Sequence, residues 1–322
     1  MGTVIRSAVL FFVAKNPTLE RNMVIIMSKK TVFTGVATAI ITPLDENGVN
    51  YEQFKRLIEW QIAEGVDAIV ACGTTGESST LTDEEHRNVI KFAVDTAAGR
   101  VPVIAGTGSN DTDYAVDLTE FACRAGADAV LTVTPYYNKA TQKGLEKIFT
   151  KIADAATKPV IMYNVPSRTG VNIEPRTCLS LADHPNIAAI KEASGNISQI
   201  AKTAQLTRGK LDIYSGNDDQ IVPILSLGGK GVISVLSNVM PRKTAEMCKK
   251  FFDGDIAGSA KLQLDLLPLI NALFCEVNPI PVKAAMAKMG FCKNYLRLPM
   301  TELESEHEKA LFALMKNEGL ID

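Results

Sequence analysis

Lys191 stands near the end of an apolar run, Ile-Ala-Ala-Ile-Lys-Glu-Ala-Ser-Gly over residues 187–195, where a strand buried on both faces is expected. An ammonium group placed there has two readings. Its stem can cover apolar surface while its head reaches water. Alternatively, burial can strip its proton: an unperturbed lysine titrates near pH ~10.4, so holding it neutral at pH 7 costs about 4 to 5 kcal/mol. Apolar walls shift buried lysines by up to about 3 to 5 units, which is comparable to that cost. A neutral amine attacks a carbonyl, and the resulting Schiff base is an electron sink for a carbanion beside it. Such chemistry needs no external cofactor, and none is expected. Strand alternation sets Ile187, Ala189, Lys191 and Ala193 on one face, and if that face points inward the two alanines leave room beside the amine.

Schiff-base chemistry also needs proton carriers at hydrogen-bond distance. Tyr163, in Pro-Val-Ile-Met-Tyr-Asn-Val-Pro (159–166), is either a core tyrosine with its hydroxyl at a rim or such a carrier. Thr74 and Thr75, in Gly-Thr-Thr-Gly-Glu-Ser (73–78), are either a turn or a set of amides and hydroxyls able to hold a carboxylate and pass a proton. Arg168 is either a rim ion pair or a planar fork for a substrate carboxylate, a task that lysine performs poorly.

These residues require elements that bring them together. Eight runs rich in Val, Ile and Ala read as strands: 36–43, 68–73, 102–108, 129–135, 159–166, 187–194, 211–216 and 231–237. Between them lie helix starts with a mechanism. Thr82 with Glu85 forms a capping box, Asn50 with Gln53 opens an earlier helix, and Asn110 or Asp111 opens one ending near Cys123-Arg124-Ala125. The sequences Gly65-Val-Asp67-Ala-Ile and Gly126-Ala-Asp128-Ala-Val repeat one helix-to-strand passage. Eight consecutive β/α units predict an α/β fold, a closed (β/α)8 TIM barrel with reactive groups at the carboxyl ends of its strands. The dinucleotide-binding alternative lacks its loop, because Gly106-Thr-Gly108 runs into Ser-Asn-Asp and the first strand has no glycine loop. The barrel is expected over 31–254 and a helical C-terminal unit over 255–322, with Leu262, Leu266, Leu269, Ile270 and Leu273 at helical spacing to cover a flank or a partner subunit.

The bulk figures narrow the class. Among 322 residues, 46% are apolar and 22% charged, and the net charge of -2 provides no basic footprint for nucleic acid. Six scattered cysteines form no C-x-x-C pair and read as reduced core residues of a cytoplasmic protein, and three isolated histidines predict no metal site. Residues 1–30 read as an N-terminal extension, disordered or translated from an upstream start, since Met27-Ser-Lys-Lys resembles a fresh beginning. Its stretch Ser7-Ala-Val-Leu-Phe-Phe-Val-Ala14 sits at the lower edge of a secretory core without a clear cleavage site, and is too short to span a membrane. Arg6 stands where a myristoylation signal on Gly2 would want Ser or Thr.

Taken together, Gly73-Thr-Thr-Gly-Glu-Ser78, Pro135-Tyr-Tyr-Asn138, Tyr163-Asn-Val-Pro-Ser-Arg-Thr-Gly170, Ile190-Lys-Glu-Ala193, Gly231-Val-Ile-Ser234 and Asn278-Pro-Ile-Pro-Val-Lys283 make the chain resemble the dihydrodipicolinate synthases, from about Phe33 to the C-terminus. These belong to the pyruvate-dependent class I aldolases and lyases. The resemblance implies that Lys191 condenses with pyruvate and that the enamine attacks L-aspartate 4-semialdehyde, with cyclisation following. It implies a proton relay of Thr74, Tyr163 and Tyr137, the last reaching in from an adjacent subunit of a homotetramer built as a dimer of tight dimers. It also implies that Thr75 helps hold the pyruvate carboxylate, that Arg168 binds the semialdehyde carboxylate, and that Gly216 and Ile233 line the pyruvate pocket. N-acetylneuraminate lyases and keto-acid sugar aldolases look similar, but the Gly-Thr-Thr-Gly-Glu loop and Arg168 favour a short carboxylated aldehyde. A barrel that binds a small acid without turning it over is the non-enzymatic alternative. Ser78, Ser79, His86, Asn110 and Tyr136 match the family's lysine-binding allosteric cleft, whereas Asp83 and Tyr114 depart from the histidine or tryptophan and the glutamate common in lysine-sensitive relatives. Inhibition by L-lysine is therefore expected to be weak or absent.

Overall fold

The computed structural model describes Lys29 and residues 31–322, so the expectations placed on residues 1–28 and on Lys30 fall outside the described residues. All eight expected strands form: β1 (Gly35–Ala39), β2 (Ala68–Ala71), β3 (Val103–Gly106), β4 (Ala129–Val133), β5 (Val160–Asn164), β6 (Ile187–Glu192), β7 (Asp212–Ser215) and β8 (Gly231–Ser234). They pair in parallel in chain order and close through β1 against β8, giving an eight-stranded barrel. Closure brings the two backbones very close at Gly35 and Gly231, where an added Cβ on Gly231 would lie 1.9 Å from the Gly35 carbonyl oxygen. A small antiparallel ribbon, Leu44–Asp45 with Gly48–Val49, follows β1.

Each strand ends one to four residues earlier than its apolar run, and the remainder turns outward as the loop at the carboxyl end. The helices around the barrel are α1 (Tyr51–Ala63), α2 (Asp83–Ala97), α3 (Thr112–Arg124), α4 (Gln142–Ala155), the single turn α5 (Pro166–Thr169), α6 (Pro175–Leu181), α7 (Ile197–Thr207), α8 (Ile221–Ser226) and α9 (Pro241–Phe252). Three C-terminal helices follow: α10 (Ile256–Ala272), α11 (Ile280–Lys288) and α12 (Ser305–Asn317). The expected caps are present, with Asn50 on α1, a complete Thr82/Glu85 box on α2, and Asp111 rather than Asn110 on α3.

The repeated Gly-x-Asp passage has a structural meaning. Gly65 and Gly126 take positive φ to leave their helices. The aspartates two residues on accept backbone N–H groups of the preceding strands, Asp67 from Val36 at 2.8 Å and Asp128 from Val103 at 2.9 Å. Each motif therefore ties the start of one strand to its neighbour.

The strand faces divide the core in two. Ala37, Val70, Ile104, Leu131, Ile161, Tyr163, Ala189 and Ile233 fill the barrel interior, while Val36, Ile69, Val130, Met162 and Ile190 pack outward on the helices. Phe33 stacks on Tyr214 with ring centroids 4.2 Å apart, and the Tyr214 hydroxyl donates to the Phe33 carbonyl at 2.7 Å. The simple alternation expected along β6 is corrected at its start. Val160 pairs with Ile187 but Ile161 pairs with Ala189, so one extra residue is inserted and Ile187 joins the outer layer. Beyond this irregularity Ala189 and Ala193 face inward as expected.

Candidate active site

Register alone places the central pair. Tyr163 on β5 is the direct partner of Lys191 on β6, and both point inward at the carboxyl end of the barrel. The amine lies over the tyrosine ring, with Nζ 4.3 Å from the centroid, a cation–π distance. Behind them Glu192 points to the opposite face, where both of its carboxylate oxygens accept from Asn164 Nδ2 at 3.1 Å and Oε1 also accepts the Ser194 amide at 2.7 Å. These contacts brace β5 and β6 against one another.

A cavity of about 500 Å³ opens above this pair. Thr74, Thr75, Tyr163, Arg168, Lys191 and Gly216 all line it, so six of the residues singled out in the sequence converge. Gly216 is there because nothing larger fits: a Cβ would come within 2.8 Å of Ala193 Cβ and 3.1 Å of Lys191 Cγ and Cε. Ile233 does not line the cavity; it lies in the interior cluster. Tyr137 stands 91% exposed on the loop after β4 with a left-handed φ of 69°, away from the Lys191 of its own chain, as a residue expected to act on an adjacent subunit would be.

Electrostatics refine the expectation of a neutral amine. Burial lowers the Lys191 pKa to about 8, with Arg168 adding to the shift and the negative charge of Asp218 opposing it. At pH 7 roughly a tenth of the population is therefore neutral rather than most of it. Asp218, which carries the opposing charge, drew no attention in the sequence. It is buried, Oδ2 accepts the amides of Val235 and Leu236 at 2.9 Å, and Oδ1 has no hydrogen-bond partner among the described residues. Burial also raises the Tyr163 hydroxyl, while Arg168 and Thr74 pull it down.

Asn278 is a second residue that sequence reasoning passed over, although it opens one of the quoted motifs. Its Nδ2 donates to Thr75 Oγ1 at 3.0 Å, and its carbonyl accepts from Arg168 Nη2 at 3.0 Å. One C-terminal residue thus fixes both a threonine hydroxyl and the arginine fork. Nearby, Glu77 and Lys283 form an ion pair that is wholly removed from solvent, and Lys283 Nζ also donates to the Thr42 carbonyl at 2.7 Å.

An adjoining cavity of about 370 Å³ is lined by Ser78, Ser79, His86, Tyr114 and Tyr136, and it shares Thr74, Val165 and Arg168 with the first. Asn110 does not line it; its carbonyl accepts from Asn138 Nδ2 at 3.0 Å. The two departing positions engage one another, since the Tyr114 hydroxyl donates to Asp83 Oδ1 at 2.9 Å while Asp83 Oδ2 pairs with Arg87 at 2.8 Å. His86 Nε2 lies 2.8 Å from the Gly106 carbonyl. Among the described residues no cluster of His, Cys, Asp or Glu suits a metal ion, and no helix is long and apolar enough to cross a membrane. All six cysteines are free, and Cys275 is exposed, unlike the buried position expected of it.

A desolvated lysine over a tyrosine, at the carboxyl end of a (β/α)8 barrel and beside an arginine fork, defines a lyase of the amine-dependent barrel class. The profile of the dihydrodipicolinate synthetase family matches residues 32–318, and the chain belongs to that family. It is 59% identical over 292 residues to the 4-hydroxy-tetrahydrodipicolinate synthase of Lachnoclostridium phytofermentans, covering 90% of this chain and 99% of that protein. It is 55% identical over 293 residues to the enzyme of the same name from Acetivibrio thermocellus, covering 91% and 100%. A crystal structure of a dihydrodipicolinate synthase superposes with a TM-score of 0.88 at 48% identity, covering 90% of this chain and all of that one.

Proposed function

We propose that this chain is a 4-hydroxy-tetrahydrodipicolinate synthase, condensing pyruvate with L-aspartate 4-semialdehyde in the diaminopimelate route to lysine. The observation that carries the reading is the Lys191 amine, buried, lowered to about 8 and seated over Tyr163 in the cavity. Neutral Lys191 attacks the C2 carbonyl of pyruvate, and water leaves as the Schiff base forms. The methyl carbon then gives up a proton, carried off through Tyr163 and Thr74, to make the enamine, which adds to the aldehyde carbon. The new alkoxide takes a proton through Tyr163 and Thr74. The amino group of the added chain attacks C2, closes the ring and expels Lys191, which returns as the free amine. Thr75 and the neighbouring turn hold the pyruvate carboxylate, and Arg168, steadied by Asn278, holds that of the semialdehyde.

The reading includes a homotetramer of tight dimers in the cytoplasm, with Tyr137 completing the relay of a neighbouring subunit. An exposed tyrosine in a strained backbone conformation is what such a donated residue looks like in a lone chain. Comparing turnover of aspartate semialdehyde with that of N-acetylneuraminate and keto-deoxy sugar acids tests the substrate. Preference for a sugar acid would overturn it.

A further inference from the structure

Among the described residues, one acidic side chain lines the Lys191 cavity: Glu276, in the segment between α10 and α11. It is half-buried and fixed from one side only. Its Oε1 accepts the Glu304 amide at 3.0 Å and Nδ1 of His307 at 2.6 Å, and Oε2 has no hydrogen-bond partner among the described residues. The contact with His307 holds its carboxyl below the usual glutamate range, so it is charged at neutral pH. Two residues further on, the Asn278 carbonyl accepts from Arg168, which sets the guanidinium on a neighbouring stretch of wall. No ion pair joins Glu276 to Arg168 or Lys191 among the described residues, so the anion is not consumed by either cation. The wall thus offers a carboxylate beside an arginine fork. That pairing matches a ligand that carries an ammonium and a carboxylate on one carbon, as the amino-acid aldehyde of the reaction does.

We propose that Glu276 is a specificity-determining residue that accepts the ammonium group of the aldehyde substrate. This rests on the function proposed above and extends it: Arg168 reads the carboxylate, and Glu276 distinguishes an amino-acid aldehyde from one that lacks the amine. The rival role for Glu276 is mechanical, fastening α12 through His307.

Steady-state kinetics on the full-length protein separate the two. In Glu276→Gln the amide oxygen can still accept from Glu304 and His307, but the charge is gone. KM for aspartate semialdehyde should rise about tenfold or more, the loss of one charge-assisted hydrogen bond. KM for pyruvate and competitive inhibition by succinate semialdehyde, which lacks the amine, should stay unchanged. His307→Asn, which breaks the fastening but leaves the carboxylate, should not reproduce the effect. An unchanged KM in Glu276→Gln, an equal loss of succinate semialdehyde binding, or the same change in His307→Asn would each overturn the proposal while leaving the proposed reaction intact. A native enzyme that does not consume aspartate semialdehyde at all would remove the proposed reaction, and this inference with it.

Discussion

Lys191 titrates where three influences balance. Burial and Arg168 push the amine toward its neutral form, and Asp218 pushes it back. Its folded pKa of about 8 lies below the unfolded value of 10.5, so the native chain binds fewer protons between those two pH values. The stability cost of this group is complete below about pH 8 and is relieved as pH rises toward 10.5. The same balance sets reactivity, because only the neutral amine attacks. In the free enzyme kcat/KM for pyruvate should rise about tenfold per pH unit below pH 8 and level off above it. Asp218→Asn removes the opposing charge, so the midpoint should move to lower pH. A midpoint that stays put, or moves upward, would show that Asp218 does not bear on the amine. The position of Lys191 was legible in the sequence, since Ala189 and Ala193 flank it at period two. The influence of Asp218 was not: it comes from the pairing of β6 with β7, which sets the end of one strand beside the turn that follows the other.

At the scale of elements, the C-terminal helices hold the catalytic turn after β2. Asn278 bonds Thr75, Lys283 on α11 pairs with Glu77, and Arg297 forks onto Glu85 of α2 with contacts of 2.6 Å. Glu77→Gln leaves the Lys283 ammonium buried among neutral acceptors with no counter-charge, and should cost about 3 to 5 kcal/mol in urea unfolding. Adding Lys283→Met should recover much of that loss, and a single variant within about 0.5 kcal/mol of the parent would argue against the latch. The neighbouring cleft carries a prediction of its own. With the Tyr114 hydroxyl committed to Asp83, an effector ammonium finds no free carboxylate at that position, so L-lysine should inhibit weakly or not at all. A submillimolar inhibition constant would contradict this. The caps of α1 and α2 were readable because each is a local hydrogen bond. The shift in β6 was not, because a bulge belongs to the pairing of two strands rather than to either one.

For the whole molecule, the sequence pattern specified eight units and hence closure, while the completeness of the site depends on more than one chain. Tyr137 is the test of that dependence. If it serves a neighbouring subunit, Lys191→Ala and Tyr137→Phe proteins, each impaired alone, should regain activity when unfolded and refolded together, because mixed dimers contain one intact site. Full activity of Tyr137→Phe alone, or no recovery in the mixture, would place the relay within a single chain. Such a partnership leaves no trace in strand periodicity, which records only what the chain buries against itself.

The most direct test of the central claim is borohydride reduction of the native protein with pyruvate, followed by peptide mass analysis. The account predicts a reduced pyruvate adduct on Lys191 and on no other lysine, and its loss in Lys191→Ala. An unmodified Lys191 in protein that turns over its substrates would contradict it.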